Sequence, residues 1–163
     1  MQTYPCESIP LKRSILTGLT IRRYESFQQC ASYATIAHRG HLNPQLIQWG
    51  IHILFKQAVD GSIIIGDSHE YRDACEADAL GFDLNGDINA LLLREAQRIL
   101  HLPSWDIARM WAGFYTQCKT QDVLITEVES DVHIVTAIGG KGMTASAGFA
   151  KAHIDRLSGR TSK

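Results

Sequence analysis

Apolar and polar side chains alternate most clearly over residues 50–57 (GIHILFKQ), and this period of two predicts a β-strand. A second apolar run follows over residues 62–66, and Asp60-Gly61 lies between the two runs. Asp-Gly favours a tight turn because glycine accepts a positive φ at no steric cost, so the pattern predicts a β-hairpin. A two-stranded hairpin is only marginally stable alone, and we therefore expect this one to belong to a larger sheet.

Further strands are predicted where apolar positions alternate, and helices where they recur every three to four residues. The predicted strands span residues 19–24, 110–115, 123–128 and 132–138. The predicted helices span residues 26–37, 88–100 and 144–157, with Ser26 and Asp87 as N-caps of the first two. Residues 1–10 form a loose lead-in, and residues 38–44 form a loop. The order β–α–ββ–α–βββ–α predicts an α+β fold, a largely antiparallel sheet with flanking helices.

The composition is that of an ordinary globular protein. The chain has 163 residues, 45% of them hydrophobic, and its 16 Lys and Arg against 17 Asp and Glu give a net charge of -1. This balance offers no electrostatic reason to expect nucleic acid or an anionic membrane as a partner. No apolar run approaches the roughly 18 residues of a membrane helix, and the first residues lack a signal-peptide pattern. The four cysteines have no C-x-x-C spacing, so we expect free thiols in a cytoplasmic protein.

The sharpest local motif is the glycine-rich segment of residues 139–144 (GGKGMT), which lies between a predicted strand and a predicted helix. Glycines let backbone N–H groups approach a ligand, and a helix N-terminus favours an electronegative group. The string from Gly140 fits G-x-G-x-x-A, but only 18 residues follow Ala145, too few for a dinucleotide-binding βαβ unit. Two interpretations stay open: a tight turn between a packed strand and helix, or a helix start that contacts a ligand.

No metal site is predicted from the spacing of ligand-type residues. Residues 83–94 begin like a calcium loop, but Ile88 and Arg94 stand where that loop needs glycine and glutamate, so a turn with a helix cap is the better interpretation. The seven histidines show no zinc-site spacing; no second histidine lies four residues after His69.

Four segments carry a family resemblance. They are residues 18–27 (GLTIRRYESF), 50–71 (GIHILFKQAVDGSIIIGDSHEY), 111–117 (WAGFYTQ) and 132–150 (VHIVTAIGGKGMTASAGFA). Together they resemble the glycine/D-amino-acid oxidase superfamily of FAD-dependent oxidoreductases, and within it the clade often found beside phosphonate-metabolism genes. The resemblance runs over about residues 11–157 and is most specific in the glycine motif. It covers only the latter half of such an enzyme.

The resemblance implies a division of roles along the chain. Residues 1–10 are a lead-in, residues 11–131 a substrate-binding sheet domain, and residues 132–163 the strand, loop and helix that belong to the FAD domain. In that superfamily the closing loop and helix return to the flavin ring, where the helix start stabilises negative charge. The implied FAD contacts are Gly140, Lys141, Gly142, Met143 and Thr144.

The resemblance also implies an active site. Tyr115, in the string FYTQ, is the implied catalytic residue over the substrate pocket, and His52 and His69 are further substrate-binding candidates. Sarcosine-oxidase-like members place basic residues where Thr144 stands and near Ile64, and this chain has neither. An aminophosphonate or other amine substrate, or an acceptor other than oxygen, fits that difference.

The implied function is that of a fragment or subunit of an FAD-dependent oxidoreductase that oxidises an amine or amino acid, with hydride passing from a C–H next to nitrogen to the flavin. The family's N-terminal Rossmann segment has no counterpart in these residues, so we expect an incomplete fold that is inactive alone and does not retain FAD. A separate Rossmann-half chain is an expected partner, and an exposed hairpin edge favours a homo-oligomer. The alternative is a non-catalytic truncated remnant or binding module that keeps the substrate-domain fold.

Overall fold

The computed structural model describes residues 1–6, 10–23, 27–39 and 43–160, and it divides into two compact units, Met1–Ala112 and Gly113–Lys163. Strands pair antiparallel in both units and helices accompany them, so the α+β prediction is confirmed. The four cysteines are free thiols. Among the helices of the described residues, none is long and apolar enough to cross a membrane. The division of roles at residues 10 and 131 stays a prediction, and by compactness the chain divides after Ala112.

The first unit is built on a sheet of five short strands. They are β1 (Gln2–Thr3), β2 (Ile15–Leu16), β3 (Leu54–Gln57), β4 (Ile63–Ile65) and β5 (Ile107–Arg109). In space the order is β2-β3-β4-β1-β5, and every neighbouring pair is antiparallel. The predicted hairpin is therefore confirmed as β3–β4, and it lies inside a larger sheet as its marginal stability alone requires.

The core of the first unit lies on one face of this hairpin. Phe55 pairs with Ile65 across the two strands. Phe55, Ile53 and Ile63 are completely buried, with exposed fractions of 0%. Buried apolar side chains of the helix α4 (Gly86–Gln97) belong to the same cluster. Of the alternating residues 50–57, only Leu54–Gln57 form the strand, and its apolar face is covered by a helix.

Helix α4 begins two residues before the predicted position, because Asn85 rather than Asp87 is its N-cap. The Oδ1 atom of Asn85 accepts hydrogen bonds from the N–H groups of Asp87 at 2.9 Å and Ile88 at 3.3 Å. Such a cap satisfies backbone donors that have no partner inside the helix. The predicted helix is confirmed, and it ends at Gln97 instead of about residue 100.

The predicted strand over residues 19–24 is wrong, since Gly18–Arg23 forms the helix α1. Strand β2 already occupies the sheet edge beside β3, with Ile15 opposite Phe55, and the chain turns into the helix directly afterwards. A few alternating apolar positions are too short a signal to separate strand from helix. Tyr24 and Ser26 lie outside the described residues, and the next helix, α2, is confined to Tyr33–Arg39.

Three further predictions are corrected: the lead-in over residues 1–10, the loop over 38–44 and the strand over 110–115. The loose lead-in contains β1, whose Gln2 pairs with both Ile64 and Arg109, so these first residues lie inside the sheet and are buried. A strand of two residues is too short to show any period, and tertiary pairing alone decides it. The loop predicted over 38–44 overlaps the end of α2 at residues 38–39 and the start of the short helix α3 (Pro44–Gln48) at Pro44. The strand predicted over 110–115 is wrong, and the chain forms β5 just before it.

The second unit contains a hairpin followed by a glycine turn and a helix. Its elements are the strands β6 (Leu124–Glu129) and β7 (Val132–Thr136), a 3-10 turn (Gly139–Lys141) and the helix α5 (Gly142–Leu157). The strands pair antiparallel with Ile125 opposite Val135, and Asp131 takes a positive φ of 64° at the turn. Both strands and the helix predicted for this unit are confirmed, and each end lies within two residues of its predicted position: 123–128, 132–138 and 144–157.

Candidate functional site

The structure brings Tyr115 against the glycine segment, 25 positions further along the chain. A methyl group built on Gly140 would lie 3.6 Å from the hydroxyl oxygen of Tyr115. The phenol is half exposed, so it lies over the glycine at the surface of the second unit and not in a core. Two residues that the resemblance implied as site residues from separate segments are therefore neighbours in space.

The neighbours of Tyr115 explain how it is held there. Gln117 forms an isolated antiparallel bridge with Ile138, which continues the pairing beyond the end of β7. The hydroxyl groups of Thr116 and Thr136 are hydrogen bonded at 2.8 Å. The segment 115–117 is thus laid alongside the last residues before the glycine turn. Sequence reasoning missed Thr116 and Gln117, although both belong to the same short string as Tyr115.

The backbone before the glycine turn is held in an uncommon conformation. Ala137 and Gly139 both have a positive φ, 63° and 64°, which is costly for alanine and free for glycine. The N–H of Ala137 donates to the Thr116 hydroxyl at 3.1 Å, and this contact helps to hold the strained residue in place. Strain of this kind persists where surrounding contacts enforce it, and it clusters at ligand-binding turns.

The start of helix α5 carries no side chain that caps it. Its N-cap residue is Lys141, whose side chain makes no capping hydrogen bond, and no acidic residue lies in the first turn. The Lys141 ammonium instead forms an exposed ion pair with Asp122, a partner that the sequence did not indicate. The side chains of Met143 and Thr144 are exposed, Met143 completely. The positive end of the helix dipole therefore meets solvent beside Gly140 and Tyr115.

A second group of candidate residues lies in the first unit. His52 is buried at 4% exposure, and its Nε2 atom is 2.9 Å from Oδ1 of Asp67. The ring of His69 stacks on that of His52 with centroids 5.1 Å apart, and the ring of Tyr71 stacks on His69 at 6.0 Å. Burial lowers the pKa of the Met1 amino group, and the charge of Asp67 opposes this lowering.

The structure therefore brings together His52 and His69, the two histidines that are candidates for substrate binding. Sequence reasoning missed Asp67 as their partner. The sequence held no signal for it: the register of β3–β4, with Phe55 opposite Ile65, would place Asp67 opposite Ile53, and a shift of one residue beyond the strands places it opposite His52 instead.

A family model described as FAD dependent oxidoreductase, DAO, matches residues 20–156. The chain belongs to the DAO family. The matched range contains both the glycine turn with Tyr115 and the histidine cluster. No curated protein and no solved structure matches the chain.

Membership of the DAO family implies FAD as the cofactor, and the residues of the glycine turn fit a part of it. Gly140 leaves space that a larger side chain would fill beside the Tyr115 hydroxyl. The uncapped start of α5 offers its dipole to an electron-rich edge such as that of a flavin ring. The Lys141 ammonium at the same turn is paired with the exposed Asp122.

Proposed function

We propose that this chain supplies the flavin-edge turn and the substrate-binding residues of an FAD-dependent oxidoreductase that acts on an amine or amino acid. The observation that carries the proposal is the approach of the Tyr115 hydroxyl to Gly140 at the uncapped start of α5. Family membership supports it, because the family implies FAD. The closer resemblance to the phosphonate-associated clade makes an aminophosphonate a further substrate class to test.

The five residues of the turn have different roles in this proposal. Gly140 gives the ligand access to the backbone, and Gly142 lets the turn pack against Ile138, whose Cγ2 would lie 3.2 Å from an added Cβ. The first N–H groups of α5 at Met143 and Thr144 stabilise negative charge at the ring edge. Lys141 contributes its backbone, since its ammonium is engaged by Asp122. When bound, FAD supplies the oxidising group that accepts a hydride from the carbon next to nitrogen.

Tyr115 positions the substrate in this proposal. Its hydroxyl lies 3.6 Å from the position of a Cβ added to Gly140, and a phenol can donate a hydrogen bond to a carboxylate or phosphonate or accept one from an amine. His52 and His69 are proposed substrate-binding residues of the first unit, because imidazoles pair with anionic oxygens when protonated. The His52 ring is fixed by its contact with Asp67, which suits a residue that must keep one orientation.

The ADP part of FAD needs a glycine fingerprint within a βαβ unit, and the described elements pair only antiparallel. We propose that a Rossmann segment outside these residues, for instance on a separate polypeptide, holds the pyrophosphate. In this arrangement the chain alone has a low affinity for flavins and no preference for FAD over riboflavin.

A flavin titration of the 163-residue chain tests the proposal, with flavin fluorescence as the readout and riboflavin, FMN and FAD as the probes. We expect weak quenching with dissociation constants for riboflavin and FAD within about threefold, less than 1 kcal/mol apart. Gly140→Val should abolish the quenching by filling the space under Tyr115. Gly113→Val is the matched control, because no atom lies within 4 Å of the position of its added Cβ.

Two results would contradict the proposal: no quenching of riboflavin by the unmodified chain at millimolar concentration, or quenching that Gly140→Val leaves unchanged. Stoichiometric retention of FAD by the chain alone would contradict the separate Rossmann half.

Activity is tested by mixing the chain with the product of its neighbouring reading frame and adding amine substrates anaerobically. An oxidoreductase is supported if substrate bleaches the flavin and if the bleaching is slower with Tyr115→Phe. This variant removes the hydroxyl group and keeps the ring. No bleaching with any amine, amino acid or aminophosphonate would favour the non-catalytic remnant or binding module.

A further inference from the structure

The backbone beyond strand β4 places three ligand-type side chains on one face of the first unit. His52 and Asp67 exchange both backbone hydrogen bonds, His52 N to Asp67 O at 3.0 Å and Asp67 N to His52 O at 2.9 Å. This is the directly opposed pair of an antiparallel ladder, so their side chains lie on the same face. His69 follows Asp67 by two positions and shares that face, and its N–H donates to the carbonyl of Trp49 at 3.0 Å.

The ligand atoms of these three residues are already close together. One nitrogen of each histidine and one oxygen of Asp67 all lie within 4.8 Å of one another. In a tetrahedral zinc site with bonds of about 2.0–2.1 Å, ligand atoms lie about 3.3 Å apart. The His52 Nε2 to Asp67 Oδ1 distance of 2.9 Å is near that value. Metal binding would require Asp67 and His69, the two more exposed side chains, to rotate until the three ligand atoms reach that spacing.

We propose that His52, Asp67 and His69 form a binding site for a divalent transition metal ion, with zinc as the simplest candidate. Two imidazoles and one carboxylate are a donor set for zinc and its neighbours in the first transition row, whereas calcium and magnesium take oxygen ligands. The site was hidden from sequence spacing because 15 positions separate His52 from Asp67. The hairpin, not a local motif, brings them together.

The gradient of burial across the site favours a metal with an open coordination position. His52 is anchored in the core at 4% exposure, His69 is intermediate and Asp67 is exposed, so an ion can enter from the side of Asp67. Three protein ligands leave a fourth position for water or another ligand, which is the arrangement of reactive rather than structural zinc sites. Tyr71, stacked on His69 at 6.0 Å, limits the directions in which that ring can turn. The inference needs only the first unit and does not depend on flavin binding.

Cobalt(II) titration of the full 163-residue chain tests the site, because cobalt replaces zinc and its visible absorbance reports the coordination geometry. We expect one equivalent of Co²⁺ to give intense tetrahedral absorbance, and one equivalent of Zn²⁺ to displace it. His69→Gln and Asp67→Asn should each weaken Co²⁺ binding by about 100-fold or more, since loss of a partner one shell further out already costs 10–100-fold. Both residues are outside the buried core, so these variants should keep the wild-type far-UV circular dichroism.

His101→Gln is the matched control, because His101 is an exposed histidine of the same unit. It should bind Co²⁺ with the wild-type affinity and spectrum. The proposal is overturned if the unmodified chain gives no tetrahedral spectrum, if His69→Gln and Asp67→Asn bind as tightly as wild type, or if His101→Gln loses binding to the same extent.

Discussion

The two hairpins of the molecule, β3–β4 in the first unit and β6–β7 in the second, arise from similar alternating sequences and are covered very differently. In the first hairpin Phe55 and Ile63 are completely buried. In the second, Val132 and Ile134 keep exposed fractions of 47% and 45%. The difference comes from partners elsewhere in the chain: β1 and β2 flank the first hairpin and α4 supplies buried side chains to the same core.

Apolar residues at every second position therefore predict a strand, but they do not predict whether that strand is buried. A strand face becomes a core only when other elements cover it, and those elements are distant in sequence. The first unit therefore carries most of the hydrophobic stabilisation, while the glycine turn with Tyr115 belongs to the less buried unit. Binding turns are commonly drawn from the less stable parts of a protein.

The largest expected effect that tests this contrast is the truncation of a completely buried ring. Phe55→Ala should destabilise the first unit by about 3–5 kcal/mol, because it removes apolar contacts and leaves a cavity. Val132→Ala, its counterpart in the exposed hairpin, should cost less than about 1 kcal/mol. Urea unfolding followed by tryptophan fluorescence measures the first variant, since all three tryptophans lie in the first unit. Equal losses in the free energy of unfolding for the two variants would contradict the difference in burial between the hairpins.

A second comparison places a methyl group on one glycine of each unit. A Cβ on Gly66 would lie 2.8 Å from Cδ2 and 3.2 Å from the backbone nitrogen of Leu54, so Gly66→Ala should destabilise the first unit by about 1–3 kcal/mol. Gly148 lies inside helix α5 with no atom within 4 Å of the added Cβ. Gly148→Ala should therefore stabilise that helix by about 0.5–1 kcal/mol. Thermal unfolding by circular dichroism checks both, and shifts of the same sign would contradict the packing described here.

The helix starts of the two units give a smaller effect. Asn85 caps α4 through two side-chain hydrogen bonds, so Asn85→Ala should cost about 1 kcal/mol. Lys141→Ala at the start of α5 should change stability by less than about 1 kcal/mol, because it removes only an exposed ion pair. Chemical denaturation of each variant measures the pair. A cost at Lys141 as large as that at Asn85 would show that the start of α5 is capped after all.

The smallest effect is expected at the turn of the first hairpin. Oδ1 of Asp60 accepts hydrogen bonds from the Ser62 hydroxyl and from the Ser62 N–H at 3.0 Å, and these bonds lower the pKa of Asp60 below its ordinary 3.8. A carboxylate with a lowered folded pKa stabilises the fold above pH 3.8, and this stabilisation is lost as the pH falls through the folded pKa. Asp60→Asn should therefore make the free energy of unfolding fall less as the pH is lowered into the acid range. If the free energy of unfolding of Asp60→Asn has the same pH dependence as that of the wild type, the hydrogen bonds of Asp60 do not contribute to it.

The sequence was informative where local patterns are strong and silent where tertiary pairing decides. It predicted the first hairpin, the two strands of the second, and the helices α4 and α5, because their periods extend over enough residues to be read. It missed β1, since two residues show no period and only pairing with β4 and β5 makes them a strand. It mistook α1 for a strand for the same reason: the signal was short, and β2 had already taken the sheet edge.

The candidate sites divide in the same way. The glycine turn could be read from its string, because glycines before a helix are a local signal. The approach of Tyr115 to Gly140 needed the pairing of Gln117 with Ile138, which joins segments 21 positions apart. Asp67 could not be predicted as the partner of His52, because the two face each other only through a one-residue shift from the register of β3–β4.

In the proposed function the turn of the second unit, and not the covered sheet of the first, receives the flavin ring. A riboflavin titration of the ¹⁵N-labelled chain, followed by amide chemical shifts in two-dimensional NMR spectra, tests it most directly. We expect progressive shifts at four residues of the turn and none at Ile53 or Ile63; the four are Gly140, Gly142, Met143 and Thr144. Shifts confined to the first unit, or none at the turn at millimolar riboflavin, would contradict it.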